Sequence, residues 1–127
     1  MPCPSPQICG YSSLYIGYDP WHISDELLAA FEQEFGRNVM VKVRQGVLTL
    51  SQPMKDLKAE FQEKKIVYNN NPIDKWCLIN TEEKKDVNGN VQPVKSDERT
   101  RRIDGTAALL DAYVVYCNKR DEFESLI

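Results

Sequence analysis

Two aspartates stand where a chain most easily does chemistry. Asp19 closes the apolar run Leu14-Tyr15-Ile16-Gly17-Tyr18 and precedes Pro20, which cannot continue a central ladder. Groups at strand ends face the loops, where ligands are usually met. The same Asp-Pro step also makes an ordinary turn. Asp104 opens the apolar stretch Asp104 to Cys117 as Asp104-Gly105-Thr106. It suits a helix N-cap, and it equally suits an acid with space for a metal or a phosphate beside the side-chain-free Gly105. Near it, Lys95, Arg99, Arg101 and Arg102 have the charge to contact a phosphate backbone. Asp97 and Glu98 interrupt that cluster, so a solvated, charge-balanced loop explains it as well.

Other chemistries are poorly supplied. His22 is the single histidine and has no nearby serine or cysteine pattern, so nucleophilic catalysis has no machinery. Cys3, Cys9, Cys77 and Cys117 are irregularly spaced, without the short ligand pairs of a structural zinc site. They read as reduced thiols, with Cys77 and Cys117 as small core residues. The glycines are scattered, and no phosphate-cradling loop is present.

The elements that must position these groups follow from periodicity. Leu14 to Tyr18 reads as a buried strand. Ser24 suits an N-cap, with Leu27, Leu28, Phe31 and Phe35 at helical spacing and Gly36 as the stop. Val39 to Val43 is strand-like, and a second helix is expected from Ser51, with Pro53 in its first turn. Ile66-Val67-Tyr68 reads as a third strand, and Asn69 to Pro72 as a turn. Ile73 to Thr81 fits a helix or a strand. Asp86-Val87-Asn88-Gly89-Asn90 predicts an exposed, mobile hairpin of type I′. A largely buried helix runs from Asp104 to Cys117. Residues 1–13 read as an irregular leader and 118–127 as a charged, frayed tail.

With 127 residues, 42% hydrophobic and 28% charged, the chain is one ordinary globular α/β domain's worth. Sixteen basic against nineteen acidic residues give a net charge of −3, so bulk electrostatics do not announce a nucleic-acid binder. No stretch is long and apolar enough to span a bilayer, and no export signal is expected.

Three segments stand out, in order. The first is Ile16-Gly17-Tyr18-Asp19-Pro20-Trp21, followed by a helix, Arg44-Gln45-Gly46, Leu50-Ser51 and Met54-Lys55. The second is Asn71-Pro72 with Trp76 and Asn80, then Asp86, Asn88-Gly89-Asn90 and Lys95. The third is Arg102-Ile103-Asp104-Gly105 with Ala107-Ala108-Leu109. Together these segments cover residues 14–117, and in this order they resemble the C-terminal nuclease region of tailed-bacteriophage terminase large subunits. The resemblance implies a ribonuclease-H-like fold, a mixed sheet with flanking helices. It implies an endonuclease that cuts concatemeric phage DNA during packaging, in the cytoplasm of a bacterial host. Double-stranded DNA, a terminase ATPase domain, a small terminase subunit and a portal are the implied partners.

Asp19 matches the family's strand-end acid and Asp104 the acid of its late motif, so both are implied as catalytic metal ligands. The implied cofactor is a pair of Mg²⁺ or Mn²⁺ ions, hard cations that take carboxylate oxygens and neutralise both oxygens of an in-line displacement. Asp19 and Asp104 are then expected to converge, with the hairpin and the Lys95 to Arg102 stretch beside them. The family carries a further metal-binding aspartate upstream, whereas residues 1–18 contain no acid and the chain has no ATP site. The expectation is therefore a domain incomplete on its N-terminal side, which folds but cuts DNA poorly or not at all when alone. The competing expectations are a non-catalytic prophage remnant that binds DNA or a terminase partner, and an unrelated small α/β protein.

Overall fold

The chain enters its ordered core along β3 (Ile16–Tyr18), crosses over through α1 (Asp25–Phe35), and returns as β4 (Met40–Lys42). The two strands pair in parallel, with Ile16 opposite Met40 and Tyr18 opposite Lys42. Upstream, β1 (Gln7–Ile8) and β2 (Tyr11–Ser12) form a minimal antiparallel pair within the expected leader. The computed structural model describes residues 7–8, 11–12, 14–68, 70–96 and 102–126. Downstream come α2 (Val47–Gln62), α3 (Pro72–Asn80), the hairpin β5 (Thr81–Lys85) and β6 (Val91–Lys95), α4 (Asp104–Asn118) and α5 (Arg120–Glu124).

Local chemistry explains most boundaries. The Ser24 hydroxyl accepts the Leu27 N–H at 3.1 Å, Asp25 and Glu26 occupy the positive end of α1, and Gly36 ends it at φ 97°. In α3 the Asn71 side chain accepts the Ile73 N–H at 2.8 Å and Pro72 fills the first turn. This settles the segment around Trp76 as helix and makes Asn71-Pro72 its start.

Several expectations need correction. The second helix begins at Val47, four residues before Ser51, so Pro53 lies inside it. Ser51 is buried and its hydroxyl accepts the Val91 N–H at 3.0 Å, a tertiary bond that fastens the hairpin to α2. Residues 66–68 form no strand. Lys64 turns the chain at φ 58°, and Val67 is left 96% exposed, with no sheet to join. The hairpin turn is not type I′, which needs positive φ at both central residues. Only Gly89 has it, at 79°, while the Asp86 carboxylate gathers the N–H groups of Asn88 and Asn90, each at 2.9 Å. The charged tail is helical rather than frayed: the Tyr15 hydroxyl donates to Glu122 at 2.7 Å, and Phe123 packs edge-on to Tyr116.

The core lies where α2 and α4 cross beside β4. Val43, Leu50, Leu57, Leu110, Tyr113, Val114 and Val115 fill it, with Tyr15, Met54, Phe61 and Ile66 around the edge. Burying each such aliphatic side chain stabilises the fold by about 1.5–3 kcal/mol. α4 lies across β3, and Gly17 makes that approach possible. A Cβ there would stand 2.9 Å from a Val115 methyl and 3.1 Å from the Asp111 carbonyl oxygen. No described helix is long and apolar enough to cross a membrane.

Candidate active site

Because α4 runs antiparallel to β3, contacts advance along both. Tyr15 meets Lys119 and Glu122, Gly17 meets Val115 and Asp111, and Asp19 comes within electrostatic reach of Asp111. The carboxyl ends of the parallel strands therefore face the middle of α4, at Asp111. From β4's end, Gln45 donates one bond to the Val43 carbonyl at 2.9 Å and another to the Asp111 carboxylate at 3.1 Å. Burial pushes the Asp111 carboxyl above the usual carboxylate range. The Gln45 bond opposes that shift, and the charge of Asp19 adds to it. Two like charges are held near one another at the strand ends, an arrangement that a cation would relieve.

Asp19 also organises its own loop. One oxygen accepts the Trp21 N–H at 2.8 Å, and the other meets His22 Nδ1 at 2.5 Å. The turn role weighed for Asp19 is thus present, and His22 acquires a carboxylate partner that the sequence reading did not give it. The His22 side chain is 82% exposed, so this pair sits at the rim of the site.

Asp104 is the first residue of α4. Ile103 occupies the cap position and makes no side-chain cap bond, so Asp104 is not the N-cap but a first-turn acid favoured by the helix dipole. At 3.6 residues per turn it shares a helix face with Asp111, about 10 Å further toward the N-terminus. The space left by Gly105 is taken by α3: a Cβ there would meet the Asp74 carboxylate at 3.1 Å and the Cys77 sulfur at 3.4 Å. Gly105 thus serves helix packing, and a second acid, Asp74, comes to the start of α4.

Among the cations, Arg102 is exposed two residues before Asp104, and Lys95 is exposed at the end of β6. Arg99 and Arg101 lie outside the described residues. The hairpin packs along α2, with Lys58 paired to Glu83 at 3.2 Å, and Lys55 acts electrostatically on Asp86 at the turn. Thus the turn points toward the first half of α2, and Lys95 lies at the other end of the hairpin.

Hard cations take carboxylate oxygens, and Asp19, Asp111 and Asp104 have the right donor chemistry, with Asp104 about 10 Å along α4 from Asp111. Among the described residues, no group of three or more His, Cys, Asp or Glu side chains is close enough to hold a metal ion. A cleft of about 590 Å³ lies elsewhere, between α2, α4 and the hairpin, and none of these three aspartates lines it. An open surface suits a polymer substrate better than that cleft does. Sequence reasoning passed over Asp111 and Gln45 as site members. The usable signal for Asp111 was its position as the one interior charge of an apolar helix, seven residues after Asp104.

A parallel strand pair joined through a helix, with a second helix laid across it, defines an α/β scaffold. Residues 11–119 match the terminase large subunit endonuclease-domain family, and the chain belongs to that family. It is similar to Protein YmfN of Escherichia coli (strain K12), with 36% identity over 75 residues, which are 57% of this chain and 16% of YmfN. Its fold is shared with the HK97 bacteriophage large terminase, at a TM-score of 0.65 and 24% identity over 78% of this chain and 20% of that one. The chain spans a fifth or less of the length of either relative. The mixed α/β, ribonuclease-H-like class expected from the sequence is the class found. The sheet is described as separate two-stranded pairs rather than one continuous sheet.

Proposed function

We propose that this domain acts on phage DNA during genome packaging, cleaving it with divalent metal ions held at the carboxyl end of β3 and β4. Asp19 and Asp104 are the metal ligands in this reading, and Asp111 adds charge beside Asp19. The observation that carries it is the match of residues 11–119 to the terminase endonuclease-domain family, supported by the Gln45-held Asp111 carboxylate at the strand ends near Asp19. Bound Mg²⁺ or Mn²⁺ would supply an activated water and charge neutralisation at the leaving oxygen. The protein's own residues hold and orient. Gln45 fixes the Asp111 carboxylate, and the Trp21 N–H and His22 fix that of Asp19. Exposed Lys95 and Arg102 attract the DNA backbone, together with Arg99 and Arg101 from the same stretch of sequence. An ATPase domain, a small subunit and a portal are the partners that such a domain would serve in the host cytoplasm.

A plasmid-nicking assay in Mn²⁺ tests the reading. Cleavage that is lost in both Asp19→Asn and Asp104→Asn supports it. The second reading, a non-catalytic DNA-binding domain, is favoured by the lack of a three-acid cluster among the described residues. It predicts retarded DNA in gel shifts with no nicking at any metal concentration.

A further inference from the structure

Asn80 ends α3 and has no exposed surface at all. Its carbonyl accepts the Ser96 N–H at 3.0 Å, and its side-chain amide donates to the Arg102 carbonyl at 3.0 Å. One buried residue therefore holds the chain just after Lys95 and again at Arg102. Seven residues of free chain reach over 20 Å, yet both points here lie within a hydrogen bond of one side chain and its own backbone.

We propose that Asn80 is a positioning residue for nucleic-acid contact. By pinning the Arg102 main chain, it sets the exposed Arg102 beside Lys95 and fixes the entry into α4, where Asp104 follows two residues later. This role of Asn80 rests on the DNA-binding function proposed above. Phosphates recur every 3.4 Å of axis along one strand, so two cations on chain segments anchored at one residue can engage phosphates of one backbone. Released from Asn80, Arg102 would sample many positions and lose ordering free energy for each contact. The side-chain amide suits the task because the Arg102 carbonyl needs a donor, and the shorter serine hydroxyl at the same place would fall short of it. A carboxylate at the same place would be a buried charge facing a carbonyl oxygen.

The test is a double-mutant cycle on the whole chain, binding short duplex DNA across a salt series. Circular dichroism and thermal melts identify the temperature at which every variant is folded. Arg102→Ala should weaken binding severalfold and lower the salt slope by about one, the share of one phosphate contact. Asn80→Ser and Asn80→Ala should give the same slope change while folded, and Asn80→Ala with Arg102→Ala should lose no more than Arg102→Ala alone. An unchanged slope in folded Asn80→Ser and Asn80→Ala, with Arg102→Ala effective, overturns the positioning role alone. Additive losses in the double mutant overturn it too. Unchanged slopes in both Lys95→Ala and Arg102→Ala overturn the DNA-contact reading itself, and the positioning role with it.

Discussion

An ionised carboxylate half-buried on α4, with a second one at the end of β3, costs the folded chain free energy. Burial and the Asp19 charge raise the Asp111 carboxyl above its ordinary 3.8. The folded state therefore holds that proton more tightly than the unfolded state. Its contribution favours folding most below the ordinary value and declines as pH rises through the raised one. Asp111→Asn, which keeps an acceptor for Gln45, should raise the melting temperature at neutral pH by a few degrees and remove this decline. A melting temperature lowered at neutral pH would show that the charge is compensated. Asp111 stood out in the sequence as a lone charge among apolar residues. That it neighbours Asp19 was not legible, because only the close approach of α4 at Gly17 brings the two together. The Asp19–His22 pairing was equally hidden, since it depends on how the Pro20 turn folds back.

Elements with complete local signals were legible. Ser24, the Leu27 to Phe35 stripe and Gly36 carry α1, and the apolar run after Asp104 carries α4. Elements governed by tertiary partners were not. Ser51 looks like a cap, but its hydroxyl serves β6. Ile66-Val67-Tyr68 has strand composition and no strand to pair with. α5 depends on Tyr15 and Tyr116, which are distant in sequence. Packing at this scale makes two predictions. Gly17→Ala places a Cβ against the backbone of α4, and overpacking of this kind should cost about 1–3 kcal/mol in denaturant unfolding. The hairpin turn depends on Asp86, whose carboxyl is held below 3.8, chiefly by the Asn90 N–H. That stabilisation is complete above the ordinary value and is lost as pH falls through the lowered one. Amide exchange at Asn88 and Asn90, corrected for intrinsic rates, should accelerate on such acidification, and Asp86→Ala should show the fast rate already at neutral pH.

For the whole molecule, a net charge of −3 means that any attraction to DNA must be local. Charge reversal at Arg101 and Arg102 should weaken duplex binding and flatten its salt dependence, whereas reversal of exposed Lys75 on α3 should change neither. Equal effects at the two places would point to diffuse attraction. Asp19 lies within electrostatic reach of Asp111, Asp104 stands at the start of the same helix, and the proposal is that Asp19 and Asp104 bind divalent cations. Isothermal titration of the chain with Mn²⁺ tests this most directly. The account predicts saturable binding that disappears in Asp19→Asn and in Asp104→Asn, with both variants still folded. Saturable binding retained in both variants, or none in the unaltered chain, would contradict it.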